Sequence, residues 1–173
     1  MIRTKVINDS TDLVSIIRAF DSPTKKEVFM EISKDWIPCS IILDKFGEDG
    51  QEALEFFDKM KLAETKWTTP EEGVDGKPQK MYRSFYSLFN INISCPVNEI
   101  SEIFNVSSLN DSQFKKLEDD IHEFIGDTGT FANKVSERFG ISNTALKALV
   151  KRSNKFQYTG LKITRTQPSP EST

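Results

Sequence analysis

Residues 44–67 read DKFGEDGQEALEFFDKMKLAETKW, and their spacing decides the fold. Ala53, Leu54, Phe57 and Met60 recur at helical intervals. Just upstream, Pro38 opens a shorter apolar segment carrying Ile41, Ile42 and Phe46, which stops at Gly47. LAETKW then has the composition of a strand. Further on, residues 68–80 (TTPEEGVDGKPQK) are turn-rich, and residues 81–93 (MYRSFYSLFNINI) alternate with period two and are aromatic. Together these predict a short helix, a tight turn, a longer helix and a long β-hairpin, the order of a winged helix-turn-helix.

Working outward, residues 11–20 (TDLVSIIRAF) place Leu13, Ile16, Ile17 and Phe20 on one helical face. In DSPTKKEVFMEISKDW, Asp21 or Ser22 can cap a helix with Pro23 in its first turn. Two amphipathic helices are predicted beyond the hairpin: NEISEIFNV, and SQFKKLEDDIHEFI capped by Asn110 or Asp111. FANKVSERFGISNTALKALVKR (131–152) has the spacing of a second helix-turn-helix. In it Val135 and Phe139 face inward, Gly140 makes the turn, Ile141 fills the gap, and Leu146 and Leu149 anchor the second helix. A short strand-like KFQYTGLKI follows, then TQPSPEST, whose composition predicts disorder. The expected fold is mostly α with a β-hairpin wing. Its expected parts are a winged helix-turn-helix in 1–93, linking and dimerising helices in 94–127, a basic C-terminal helix-turn-helix in 128–165 and a disordered tail in 166–173.

Composition narrows the function. The 173 residues are 37% hydrophobic and 28% charged, an ordinary globular balance. No apolar run reaches the roughly 20 residues of a membrane span, and MIRTKVINDS lacks the apolar stretch of a signal peptide, so a cytosolic protein without membrane contact is expected. Cys39 and Cys95 are isolated, which argues against a disulfide framework or a cysteine-built metal site. His122 is the sole histidine, and no nucleophile-elbow, zincin or phosphate-loop motif occurs. No catalytic residue, metal or cofactor is expected.

The net charge of −3 hides a polarity along the chain. Residues 91–133 carry 2 Lys+Arg against 8 Asp+Glu, whereas residues 134–173 carry 8 against 2. A cationic C-terminal module points to a polyanion, with double-stranded DNA as the expected partner. Asn143, Thr144, Lys147, Lys151 and Arg152 lie on the outer positions of the second helix of 131–152, where they could meet base edges or phosphates. In the first unit the candidate contacts are Gln51, Lys66, Lys77, Lys80 and Arg83. The helix beginning at Glu48 opposes this, since Glu48, Asp49, Glu52, Glu55 and Asp58 would repel phosphate. Phe114, Leu117, Ile121 and Phe124 form a stripe that could pair two subunits or pack on their own chain.

The string beginning DKFGEDGQEALEFF, the wing GKPQKMYRSFYSLFNINISCP and the closing FGISNTALKALVKRS resemble an archaeal branch of the ArsR-like winged-helix transcription regulators, known especially from methanogens. The likeness runs over residues 6–163. It implies a homodimeric cytosolic DNA-binding regulator, with residues 48–60 as recognition helix and 66–83 as wing. Metal-sensing relatives use paired cysteines or histidine and carboxylate ligands that this chain lacks. Shared contact by both helix-turn-helix units is expected, with most of the electrostatic attraction from the C-terminal one. Two alternatives are a protein-interaction subunit of the transcription machinery, using the acidic helix, and a thiol redox-responsive regulator using Cys39 and Cys95.

Overall fold

The computed structural model describes residues 2–69 and 77–166. It forms two compact units, one of Met1–Asn8 with Ile16–Asn92 and the other of Asp9–Ser15 with Ile93–Thr173. The expected wing tip, residues 70–76, and the expected disordered tail from 167 onward lie outside the described residues. Helix α1 is Leu13–Ala19.

In the first unit, α2 (Pro23–Lys34) starts as its sequence requires: the Ser22 side chain accepts from the Lys25 amide at 3.1 Å, and Pro23 fills the first turn. After the short β2 (Ile37–Pro38), α3 (Cys39–Lys59) is broken at Gly47, whose φ of 65° and ψ of −154° suit only glycine. The two arms, 39–46 and 48–59, approach closely at Gly50. A Cβ there would lie 2.6 Å from Phe46 Cβ and 3.0 Å from Ile42 Cγ2. Val28, Phe29 and Ile32 of α2 form the core with Ile42, Ala53, Leu54 and Phe57 of α3. The Phe29 ring packs edge-on against Phe20 and Phe57.

Strands β3 (Ala63–Trp67) and β4 (Lys80–Ser84) pair antiparallel from Ala63↔Ser84 to Trp67↔Lys80, and β2 adds to the other side of β4, giving the order β2-β4-β3. The hairpin is shorter than the alternation over 81–93 predicts. Ser84 Oγ donates to the Tyr86 carbonyl at 2.7 Å, and the chain leaves the sheet. It resumes as β5 (Leu88–Ile91), which pairs parallel with β1 (Thr4–Ile7). The period-two pattern thus serves two separate sheets.

In the second unit, Asp9 caps a 3-10 turn (Ser10–Asp12) by accepting from both the amide and the hydroxyl of Thr11. These bonds, foremost the hydroxyl's, hold its carboxyl below the usual range. Then come α4 (Val97–Ser108) and α5 (Asp111–Ile125), the latter begun by a reciprocal capping box between Asn110 and Gln113. Next are β6 (Thr130–Phe131), α6 (Ala132–Phe139), α7 (Asn143–Arg152), β7 (Phe156–Thr159) and β8 (Lys162–Arg165). The sheet order is β6-β8-β7. Helix, short strand, two helices and two antiparallel strands therefore repeat the order of α2 to β4, with the last strand again central.

Helices α4 and α5 share a unit with α6 and α7, and Ile121 and Ile125 are buried. The described residues form three small sheets beside the helices, so the fold is mixed α and β, compatible with a winged helix-turn-helix regulator. No helix among the described residues is long and apolar enough to cross a membrane.

Candidate nucleic-acid interface

Helix α7 is set by its ends and its inner face. Gly140 closes α6 in the left-handed region (φ 62°, ψ 32°), and Ser142 caps α7 by accepting from the Ala145 amide at 3.0 Å. Ala145, Leu146, Ala148 and Leu149 are buried, leaving Asn143, Lys147 and Lys151 exposed and Thr144 half-buried. Asn143 and Lys147 line a groove of about 510 Å³ with Asn133, Phe131, Tyr158 and Leu161. The last two stand on the β7–β8 hairpin, whose tip carries Gly160 (φ 62°) and a Leu161 that is 79% exposed. Asn143 Oδ1 accepts from Ser136 Oγ at 3.1 Å. That bond fixes the amide with its NH2 group available for a base edge.

Several other cations of this unit are paired within it. Lys155 bridges Glu118 and Asp119, Arg165 pairs with Asp127 and donates to the His122 carbonyl, and Lys151 meets Asp12 at 2.7 Å. The cationic segment and the acidic one before it thus neutralise each other in part. Lys134, Lys147 and Lys162 enter no ion pair among the described residues, and Lys162 lies over the Phe131 ring at 5.2 Å. Arg152 is not a surface contact. Its side chain is 6% exposed, donates to the Val106 carbonyl at 2.7 Å and lies 4.1 Å from the Phe114 ring centre.

The first unit presents a different face. On α3, Glu48, Asp49, Gln51, Glu52 and Glu55 are all exposed, and Gln51 Nε2 donates to Glu55 Oε1 at 3.0 Å. Lys77 and Lys66 are exposed, the latter 4.7 Å from the Trp36 ring. Lys80 pairs with Asp58 at 2.9 Å, a bond that raises its pKa. Arg83 is held by Glu64 through two bonds of 2.9 and 2.6 Å. Of the first-unit candidates, Lys80 and Arg83 therefore already have carboxylate partners.

Glu64 also accepts from Arg3 at 2.7 Å. Burial pushes its carboxyl up, but the bonds from Arg3 and Arg83 outweigh this and hold it below the usual range. A depressed carboxylate contributes its stability above the ordinary range and loses it as pH falls through the lowered value. Glu64→Gln is therefore expected to destabilise at pH 7, with the gap from wild type closing on acidification. Urea midpoints of both proteins at stepped pH below neutrality check this; a gap independent of pH would contradict it.

The remaining candidates separate. Ile121 is fully buried in its own unit, Phe114 and Leu117 are half-buried, and Phe124 is 39% exposed with its ring edge-on to Phe139 at 5.7 Å. Cys39 and Cys95 are free thiols, and burial pushes the Cys39 thiol up, away from the thiolate that redox chemistry needs. Among the described residues no group of three or more His, Cys, Asp or Glu side chains could hold a metal ion. Tyr158, Leu161, Phe131 and Asn133 escape sequence reading, although Gly160 between two alternating segments is a hairpin signal.

No curated protein and no solved structure matches the chain. A family description does: residues 7–167 match the ArsR transcriptional regulators. With nearly the whole chain covered, the protein belongs to the ArsR transcriptional regulator family.

Proposed function

We propose that this regulator binds double-stranded DNA sequence-specifically and without catalysis, and that α7 with the β7–β8 hairpin is its principal reading surface. The observation that carries this is the groove shared by Asn143, Lys147, Tyr158 and Leu161, whose lysine enters no ion pair among the described residues. An amide and an ammonium near the start of a helix suit a base edge and a phosphate in the major groove. An adjacent two-stranded turn suits the neighbouring backbone or minor groove. Both repeats of the fold are winged helices on this reading, the second with a much shorter wing.

Fluorescence anisotropy of the full chain, with duplex from upstream of its own gene against a scrambled duplex over a salt series, tests the proposal. A preference of about 10³ or more for the upstream duplex is expected, with affinity falling steeply as salt rises. Equal affinity for both duplexes would overturn sequence-specific reading. A homodimer is part of the proposal, with the exposed Phe124 as an available contact, and light scattering of the same samples reports it.

The acidic outer face of α3 favours a second role for the first unit. Carboxylates at Glu48, Asp49, Glu52 and Glu55 suit a cationic protein surface, such as one on the transcription machinery, better than a phosphate backbone.

A further inference from the structure

Two guanidinium groups in the first unit are held in place while part of their donor set is left unused. Arg3 lies over the Phe85 ring at 4.6 Å and Arg83 over the Trp36 ring at 4.7 Å. Both are fixed by the same carboxylate, Glu64, at 2.7 Å for Arg3 and at 2.6 and 2.9 Å for Arg83. Arg3 uses Nη1 and Arg83 uses Nε and Nη2, so Nε and Nη2 of Arg3 and Nη1 of Arg83 have no hydrogen-bond partner among the described residues. Stacking on an aromatic face and anchoring by one carboxylate remove most of the freedom a guanidinium would otherwise lose on binding. One positive charge of the trio remains uncompensated.

These groups line a polar cavity of about 240 Å³ together with Glu64, Lys34 and the hydroxyl residues Ser33, Ser84 and Ser87. Ser33 and Ser84 already donate to the Met30 and Tyr86 carbonyls, and Lys34 pairs with Glu31, which leaves the exposed Ser87 hydroxyl beside the unused guanidinium N–H groups. Planar cationic donors converging with a hydroxyl match the acceptor oxygens of a phosphate group. The cavity is larger than one phosphate needs and can admit a few attached carbon atoms. Its place in the sheet separates it from the wing. Glu64 is opposite Arg83, three register pairs from Trp67↔Lys80 where the wing begins, a distance of about 10 Å along the strand.

We propose that the Arg3–Glu64–Arg83 clamp and its cavity form a receptor site for a small phosphate-bearing solute, inorganic phosphate or a compact phosphate monoester. The site is separate from the α7 groove, and its occupancy is read without DNA. Binding there would act on β4, the central strand of the first unit's sheet, through Arg83.

The test is calorimetric titration of the full chain with inorganic phosphate and with glycerol 2-phosphate, against chloride at matched ionic strength. Saturable binding of at least one phosphate below about 10 mM, absent with chloride, is expected. Arg3→Gln should weaken it by about tenfold or more. Ser87→Glu, which places a carboxylate at the exposed rim without touching the clamp, should do the same and keeps the test available if Arg3→Gln does not fold. Absence of saturable heat, or wild-type binding by both variants, would overturn the site. A duplex titration separates the two sources of phosphate. DNA affinity unchanged by Ser87→Glu supports a free solute, whereas DNA that displaces phosphate and loses affinity in Ser87→Glu would assign the clamp to the DNA backbone and overturn the proposal.

Discussion

Lys147→Glu is expected to lower the affinity of the full chain for duplex DNA by about 30- to 150-fold, or roughly 2–3 kcal/mol, the scale of one lost charge-assisted contact with added repulsion. Lys147 is exposed on α7, lines the groove with Asn143, Tyr158 and Leu161, and enters no ion pair among the described residues. Its charge is therefore available to a phosphate. Loss of one phosphate contact also flattens the dependence of log affinity on log salt by about 0.9. Because the side chain is on the surface, folding stability should stay within about 0.5 kcal/mol. Two comparisons sharpen the result. Lys151 already pairs with Asp12, so Lys151→Gln should cost DNA binding less than Lys147→Glu. Lys77→Glu tests the first unit: since the exposed face of that unit's α3 is acidic, the change should alter affinity by no more than about twofold. A larger loss in Lys77→Glu than in Lys147→Glu would move the reading surface to the first unit.

The local parts of this fold are legible because each is decided by neighbours in sequence. Ser22 and Pro23 start α2, Gly47 breaks α3, Asn110 with Gln113 starts α5, and Gly140 ends α6. Each is a cap or turn whose physics needs only a few adjacent residues. The parallel pairing of β1 with β5 is of another kind. Its two strands are four residues each and far apart in the chain, and nothing local in TKVI or LFNI names the partner. Period two identifies a strand but not which sheet it joins. Residues 155–163 fail for a related reason. Alternation on either side of Gly160 reads as one short strand, until the positive φ at Gly160 turns it into the hairpin that completes the second unit.

The candidate interface is legible in outline and misleading in its charge count. Clustered cations in 134–173 point to a polyanion, yet Lys155 and Arg165 meet acids of α5 and the residues just after it, while Lys151 meets Asp12. Net charge by segment cannot tell a cation facing solvent from one paired across the fold. What survives is the small set that enters no ion pair among the described residues, and that set includes Lys147 beside the groove, whose charge reaches Asp9 only at longer range.

Arg152→Ala is expected to destabilise the second unit by about 2–4 kcal/mol, because Arg152 closes the end of a helix rather than facing a ligand. Its Nη1 donates to the carbonyls of Val106 at 2.7 Å and Ser107 at 3.5 Å, in the last turn of α4, where helical carbonyls have no partner of their own. The cation also complements the negative end of that helix. Its plane covers the Phe114 ring, and Nη2 reaches Asp111 at 3.2 Å. Asp111 is 88% exposed, so that ion pair contributes little; the part-buried carbonyl bonds and the packed stem carry most of the effect. One side chain thus joins α4, the start of α5 and the end of α7. Arg152→Lys should recover only part of the loss, since an ammonium cannot span two carbonyls and a carboxylate in one plane. Urea unfolding measures the destabilisation, and anisotropy on the fully folded variant measures DNA affinity, which should stay within about threefold of wild type. Unchanged stability with a large loss of DNA affinity would return Arg152 to the interface. Loss of stability with DNA affinity retained shows that the cation ending the reading helix serves the fold, leaving Lys147 and Asn143 to meet the DNA.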